Sequence, residues 1–287
     1  MNKMIKMELR KSIWNRMFLM TLLIGTGIAL WSAFDQITMF LERNAFDEWY
    51  RATSGTNDNP EVAIVTLFNT WIGQDYSAVA TTIFYTLFPI LCVLPYAWSF
   101  FSERTSGYMR QLVARSDKVT YFIAKYVATF ASGALALVIP MLINFMVVSS
   151  FIPAITPDIN YDIYYNVPYG SLGAAVFYDN PFLFVLMRFV IALVYGGLIA
   201  ASVIAISFFV KNRFAILLIP FIILILLNYF SEAIGHYFDA AEISPISFLG
   251  GTSTRFVTPS VVIIFAIGLF AFSLGITLWR GSRDDVF

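Results

Sequence analysis

Six long runs of apolar residues, separated by short polar segments, dominate the pattern along this chain. The runs cover about 17–34, 79–101, 126–152, 182–209, 214–231 and 259–279. Their apolar positions are continuous rather than alternating, and a helix needs roughly 20 apolar residues to cross the hydrocarbon core of a bilayer. The pattern therefore predicts an all-α integral membrane protein, with six transmembrane helices in a single domain over residues 1–287.

The composition supports a membrane protein over a soluble one. Apolar residues make up 59% of the 287 residues and charged residues 13%, which is about half the usual proportion in soluble domains. A soluble domain needs a charged surface, whereas a surface that faces lipid does not. The formal net charge is zero, so the composition gives no argument for nucleic-acid binding. The single cysteine, Cys92, excludes an internal disulfide.

Basic residues are segregated to one side of the predicted layout. Of the eighteen Lys and Arg, three fall on the opposite side (Arg43, Arg51 and Arg255) and Arg188 falls within a span. The other fourteen are Lys3, Lys6, Arg10, Lys11, Arg16, Arg104, Arg110, Arg115, Lys118, Lys125, Lys211, Arg213, Arg280 and Arg283. Because Lys and Arg near the ends of spans stay in the cytoplasm, the sequence predicts that both termini are cytoplasmic.

The residues before the first span have two interpretations. Met1, Ile5, Leu9 and Ile13 recur at every fourth position, and a neighbouring strip carries Lys3, Lys6 and Arg10. Such a pattern predicts a helix over 1–16 that lies in the inner membrane interface, its apolar side toward the lipid and its basic side toward anionic headgroups. The alternative is an ordinary positively charged flank of the first span.

The segment between spans two and three is the most informative polar stretch. Gly107 permits a break in the chain, and Tyr108, Met109, Leu112 and Val113 then form an apolar strip. Ser116 is the predicted N-cap of the next helix, with Asp117 in its first turn. A short, basic and partly apolar helix here suggests docking to another protein, and packing at the lipid interface is the alternative.

Glu103, Gly107, Ser116 and Lys125, spaced in this way after the second span, resemble the intracellular loop of the ATP-binding-cassette type-2 permease family. The plan is similar over nearly the whole chain, with a long first outer loop over about 35–78. The resemblance implies a coupling helix, contacted by the partner ATPase, between spans two and three. It also implies a re-entrant outer hairpin over 232–258, closed by Gly250 and Gly251. The implied ATPase-coupling residues are Glu103, Arg104, Gly107, Tyr108, Met109, Leu112, Lys211 and Arg213.

The same resemblance implies a permease subunit without catalytic residues, located in the plasma membrane of a bacterial cell. Its implied partners are cytoplasmic ATPase subunits and a second permease, identical or homologous. The chain has no Gly-x-x-x-x-Gly-Lys-Ser/Thr loop, so ATP and Mg²⁺ are expected to bind to the partner. The implied activity is export of a hydrophobic or amphipathic substrate, such as a peptide, drug or lipid. Candidate residues along the substrate path are Phe84, Tyr85, Phe88, Phe221, Tyr229 and Arg188.

Two other functions are weighed against this hypothesis. An intramembrane protease would need a base to activate Ser171, but the only histidine, His236, lies in a different outer segment. An ion-coupled secondary transporter or channel is the stronger rival, and such proteins place ionisable groups near the membrane midplane. Arg188 is the only charge predicted deep within a span, and an arginine there can extend its head to the membrane surface.

Overall fold

The computed structural model describes residues 1–54, 65–75, 77–114, 117–165, 167–168, 171–238, 242–250 and 257–283. Within these residues the chain forms α-helices, one 3₁₀ helix and turns, and contains no strand. The α-helices are α1 (Asn2–Ile13), α2 (Arg16–Ser54), α3 (Leu67–Thr70), α4 (Val79–Val93), α5 (Ser99–Thr105), α6 (Tyr108–Val113), α7 (Lys118–Ser149), α8 (Ala174–Asp179), α9 (Pro181–Ile206), α10 (Arg213–Phe238), α11 (Pro245–Gly250) and α12 (Pro259–Arg283). The all-α fold predicted from the sequence is confirmed for this part of the chain.

Five of the described helices, α2, α7, α9, α10 and α12, are long and apolar enough to cross a membrane. The predicted span 79–101 is not one long helix. In this segment α4 ends at Val93 after 15 residues, about 22 Å, and a turn over 94–98 leads into α5. The reason lies in Pro95, which has no N–H to donate to the carbonyl of Leu91.

The first long helix, α2, continues far beyond its predicted end. It has 39 residues and ends at Ser54, so the prediction of an outer loop beginning at residue 35 is wrong for residues 35–54. The charged residues of this stretch suggested a loop, but several of them, such as Glu42 and Arg43, are good helix formers. The stretch contains no Gly or Pro to end the helix before Gly55. A helix of 39 residues is about 58 Å long, against a hydrocarbon core of about 30 Å.

The predicted end of span five, at residue 231, is also wrong, because α10 continues to Phe238. The region predicted as a re-entrant hairpin, 232–258, therefore begins as a continuation of α10. Its second described part is α11, which is buried at Phe248 and Leu249 and packs against α4, α9 and α10. Residues 239–241 and 251–256, which include Gly251, lie outside the described residues.

The centre of the bundle is the contact between α7 and α9, the most extensive helix pair, around which α2, α4 and α12 pack. The two helices approach closely because Gly133 on α7 faces Gly196 and Ala200 on α9. Cys92 of α4 is fully buried against the same contact, and a Cβ placed on Gly196 would lie 3.4 Å from its Sγ. In contrast, only 22% and 17% of the residues in the most apolar stretches of α10 and α12 are buried.

Replacing Gly133 with alanine is expected to lower the free energy of unfolding by about 1–3 kcal/mol, the usual cost of overpacking. The added Cβ would overlap Cβ of Ala200 and lie 2.7 Å from the carbonyl oxygen of Gly196. The matched control is Gly27→Ala on α2, where a Cβ meets nothing within 4 Å. Thermal unfolding of the detergent-purified chain measures both variants, and equal transition midpoints would contradict the close α7–α9 contact.

Candidate functional site

The chain turns sharply between α5 and α6, and residues 99–113 form an elbow. Gly107 lies between the two helices with a φ of 74°, a left-handed conformation that glycine adopts without the steric cost of a Cβ. The break predicted at Gly107 is therefore present. The N-cap of α7 is Asp117, whose side chain accepts a hydrogen bond from the backbone N–H of Thr120 at 3.2 Å. This corrects the prediction of Ser116 as the cap, and Ser116 itself lies outside the described residues.

The apolar side of the elbow faces the protein's own core. Met109 is only 5% exposed and packs with Phe100, and Leu112 and Val113 are partly buried against the same cluster. The prediction that this strip is presented to a partner is wrong for Met109, because a helix as short as α6 is stabilised mainly by packing its apolar side on the bundle. Tyr108 is 40% exposed, so it remains on the outer surface of the elbow.

Lys125 of α7 lies at the centre of a buried ion-pair network. Its Nζ lies 2.8 Å from Oε1 of Glu103 and 3.1 Å from Oε2 of Glu8, and donates to the hydroxyl of Tyr96 at 3.0 Å. The hydroxyls of Tyr96 and Tyr121 in turn donate to Glu8 at 2.6 Å and to Glu103 at 2.7 Å. The side chains of Lys125 and Glu8 are fully buried. One cation therefore holds α1 and the elbow against α7.

The electrostatics of the network favour the charged form of Glu8. Burial by itself raises the pKa of its carboxyl, but Lys125 and hydrogen bonds from Lys11 and Tyr96 outweigh that cost and hold the pKa below its ordinary value. Burial lowers the pKa of Lys11, and its 2.8 Å hydrogen bond to Glu8 more than offsets this, so the net shift is upward. Glu8 therefore accepts the hydrogen bond from Tyr96 as a carboxylate.

Glu8 also sets the orientation of α1. The face of α1 that packs on the bundle carries Glu8 and Ser12, which are both fully buried. Met1 is 70% exposed. Glu8 was not predicted as a functional residue, although the sequence carries a signal: it is the only acidic residue before Asp35 and lies within a strongly basic segment.

The turn between α9 and α10 packs against the elbow, which brings several of the predicted coupling residues together. Nη1 of Arg104 donates to the carbonyl oxygen of Ser207 at 3.3 Å. The guanidinium of Arg213 lies 4.6 Å from the centre of the Trp98 ring, just before α5. Lys211, which lies between Ser207 and Arg213 in the sequence, is exposed. The elbow and this turn thus form one continuous basic surface at the end of the bundle that also carries α1, here termed the basic end.

At the other end of the bundle, Arg188 is turned inward rather than toward the membrane surface, which corrects the expectation from the sequence. Its side chain is 4% exposed. Its Nε and Nη2 donate to the carbonyl oxygen of Gly73 at 2.9 and 2.6 Å, Nη1 donates to that of Phe248 at 2.6 Å, and Nη2 also donates to that of Leu249. Arg188 thus ties α9 to α11 and to the turn before α4.

The predicted substrate-path residues fall into two groups. Phe84, Tyr85 and Phe88 on α4 are buried together in the main core. Tyr85 also contacts Gly250, so it lies beside the carbonyl groups that bind Arg188. Tyr229, which is 67% exposed, and Phe221, which is half-buried, lie on α10. The structure therefore does not bring the six residues onto a common surface within one chain.

The geometry defines a broad class. The described part of the chain is an all-helical bundle with five long apolar helices, compatible with a multi-pass membrane protein. Comparison of the chain with models of protein families, with curated proteins and with solved structures gives no match. The elbow, the buried network and the distribution of charge are the features that bear on its function.

Proposed function

We propose that this chain is the membrane-spanning permease subunit of an ATP-binding-cassette transporter of the type-2 family that its sequence resembles. ATP is hydrolysed by separate cytoplasmic subunits that contact the elbow. The observation that carries the proposal is that the elbow, broken at Gly107, is fixed to α7 and α1 by Glu103, Lys125 and Glu8. Displacing the elbow alone would separate buried opposite charges, which is costly, so α7 and α1 move with it.

The proposed topology has six spans, with α4 and α5 together forming the second, and both termini in the cytoplasm. The fourteen-to-three distribution of basic residues supports this orientation. The meeting of distant segments also supports it: Glu8 of α1 contacts Lys125, and Arg280 near the end of α12 lies 5.7 Å from the ring of Phe209. An even number of crossings between the two termini brings both to the same side of the membrane.

The surface offered to the ATPase carries several basic side chains. Arg104, Tyr108, Lys211 and Arg213 are exposed at the basic end, whereas Met109 is buried. Charges of this kind favour an acidic or hydrogen-bonding surface on the partner and speed its association. The proposed coupling contact therefore combines these basic side chains with the exposed aromatic rings of Tyr108, Phe209 and Phe214.

The proposed substrate is hydrophobic or amphipathic and passes between this chain and a second permease. Support comes from α10, where Ile222, Ile223 and Tyr229 leave large apolar surfaces exposed. A surface of this kind is compatible with contact to lipid, to an apolar substrate or to a second permease. Phe221 and Tyr229 remain the candidates for the path, because Phe84 and Phe88 are enclosed within the chain's own core.

Replacing Gly107 with proline is expected to abolish the coupling of ATP hydrolysis to transport, because proline holds φ near −65° and the native φ is 74°. The matched control is Gly107→Asn, since asparagine tolerates the left-handed conformation. Both variants are purified with the ATPase that accompanies the chain and reconstituted in vesicles. ATPase activity and ATP-dependent uptake of fluorescent amphipathic dyes and lipids are then measured. Full activity of the proline variant would contradict a coupling role for the elbow.

Reconstitution of the chain alone separates this proposal from an ion-coupled secondary transporter or channel. A permease of the proposed kind transports only with its ATPase and ATP, and an ionophore that collapses ion gradients leaves its rate unchanged. Transport by the chain alone that an ionophore abolishes would support the ion-coupled alternative instead.

A further inference from the structure

The outward side of α1 forms a shallow groove of about 590 Å³ that the proposed transport function does not use. It is lined by Lys3, Lys6, Met7, Arg10, Lys11 and Trp14. These positions follow a spacing of three or four residues, so they share one face of the helix. The groove lies on the side of α1 away from Glu8 and Ser12, which are buried against the bundle.

The groove is strongly positive because α1 has few acidic side chains to neutralise its Lys and Arg residues. Glu8 is the only acidic residue of that helix, and its carboxylate is taken up by Lys125 and Lys11 on the buried side. Lys3, Lys6 and Arg10 are exposed. Three long basic side chains within about two turns of helix can donate charge-assisted hydrogen bonds to one phosphate group.

The position of the groove along the chain places it at the level of the lipid headgroups. α1 ends at Ile13, and α2, which is long and apolar enough to cross a membrane, begins at Arg16. Trp14, at the junction, is 85% exposed, and Met7 in the groove is 36% exposed. A tryptophan at a membrane–water boundary typically lies among the headgroups. The groove thus combines phosphate-binding cations with apolar side chains suited to the upper part of an acyl chain.

We propose that this groove binds the headgroup of an anionic membrane lipid, with Lys3, Lys6 and Arg10 around the phosphate and with Met7 and Trp14 against the glycerol and upper acyl carbons. The lipid is favoured over a soluble anion because the groove is lined by the apolar side chains of Met7 and Trp14 as well as by cations, and because it adjoins the start of a helix long and apolar enough to cross a membrane. The proposal depends on the membrane character of the chain and not on its role in transport.

The bound headgroup also lies next to the elbow. Lys11, one wall of the groove, lies 5.1 Å from the centre of the Tyr108 ring and is paired with Glu8 at 2.8 Å. The site therefore adjoins both the exposed aromatic residue of the elbow and the buried network.

The test is lipid binding by the full chain, purified in a neutral detergent and examined by native mass spectrometry. The chain is titrated in parallel with short-chain phosphatidylglycerol, short-chain phosphatidylcholine and inorganic phosphate. We expect retention of phosphatidylglycerol in preference to the other two. The triple variant Lys3→Gln, Lys6→Gln, Arg10→Gln should lower its apparent affinity about hundredfold, given about fivefold for each of the three cations near an anionic lipid.

Two controls make the result specific. The double variant Arg43→Gln, Arg51→Gln removes exposed basic residues at the far end of α2 and should leave lipid binding unchanged. The double variant Lys3→Arg, Lys6→Arg keeps the charge and should bind like the native chain, which also shows that these positions tolerate substitution. Equal retention of phosphatidylglycerol by the triple variant would overturn the proposal. Equal binding of phosphatidylcholine, or phosphate binding as tight as that of the lipid, would overturn it too.

Discussion

Replacing Lys125 with methionine is expected to lower the free energy of unfolding by about 3–5 kcal/mol, which is the typical cost of removing one partner from a buried ion pair. Methionine fills a similar volume but leaves the carboxylates of Glu8 and Glu103 without the cation that lies 3.1 and 2.8 Å from them. Denaturant titration in mixed micelles measures the free energy. The matched control is Lys211→Met, which removes an exposed lysine and should change it by less than about 0.5 kcal/mol.

A combined variant distinguishes the loss of charge pairing from the loss of packing. The triple variant Glu8→Gln, Lys125→Met, Glu103→Gln removes the cation and both carboxylates together. It should regain a large part of the lost stability, because no charge is then left buried without a partner. If Lys125→Met alone is as stable as the native chain, the network does not hold α1 and the elbow on α7.

Replacing Arg188 with methionine is expected to destabilise the fold by about 2–4 kcal/mol. The carbonyl oxygens of Gly73, Phe248 and Leu249 would lose their donor, and a buried polar group without a partner costs about 1–3 kcal/mol. Relief from burying a cation offsets part of that loss. The stability of Arg188→Lys should lie between that of the native chain and that of Arg188→Met, since a lysine keeps the charge but not the planar fork of donors.

Thermal unfolding in detergent checks the Arg188 series, with Arg43→Met as the control for loss of an exposed arginine. Limited proteolysis should cleave the Arg188→Met variant faster than the native chain near α11 and near the turn before α4, since the guanidinium binds both segments. A methionine variant with native stability and native proteolysis would show that these contacts contribute little.

The long apolar helices could be predicted from the sequence because their signal is local: about 20 apolar residues in succession are sufficient. The ends of those helices were harder to predict from the sequence. Residues 35–54 carry charges that suggested a loop, yet nothing in them stops a helix, and α2 continues to Ser54. In the opposite sense, Pro95 interrupts a run whose hydropathy alone predicted one continuous span.

The buried network could not be predicted from local pattern, because its members are far apart in sequence. Glu8 and Lys125 are separated by 117 positions and meet only when α1 packs on α7. Lys125 was singled out through the family resemblance, and Glu103 through the same motif, but neither indicated Glu8 as the third member. The inward side of the elbow was missed for a similar reason: the apolar strip at Met109 suits either a partner or the chain's own core, and only the tertiary packing decides between them.

The enclosure of Cys92 between α4, α7 and α9 has a practical consequence for labelling the molecule. It is the only cysteine in the chain and has no exposed surface, so a water-soluble maleimide does not reach it in the folded protein. The native sequence thus serves as its own unreactive background. A single reporter thiol placed at exposed Ser106 or Ser149, at opposite ends of α7 and its elbow, can be followed without first removing the native one. Such a thiol would report sidedness in intact cells, and distances between copies if a spin label is attached.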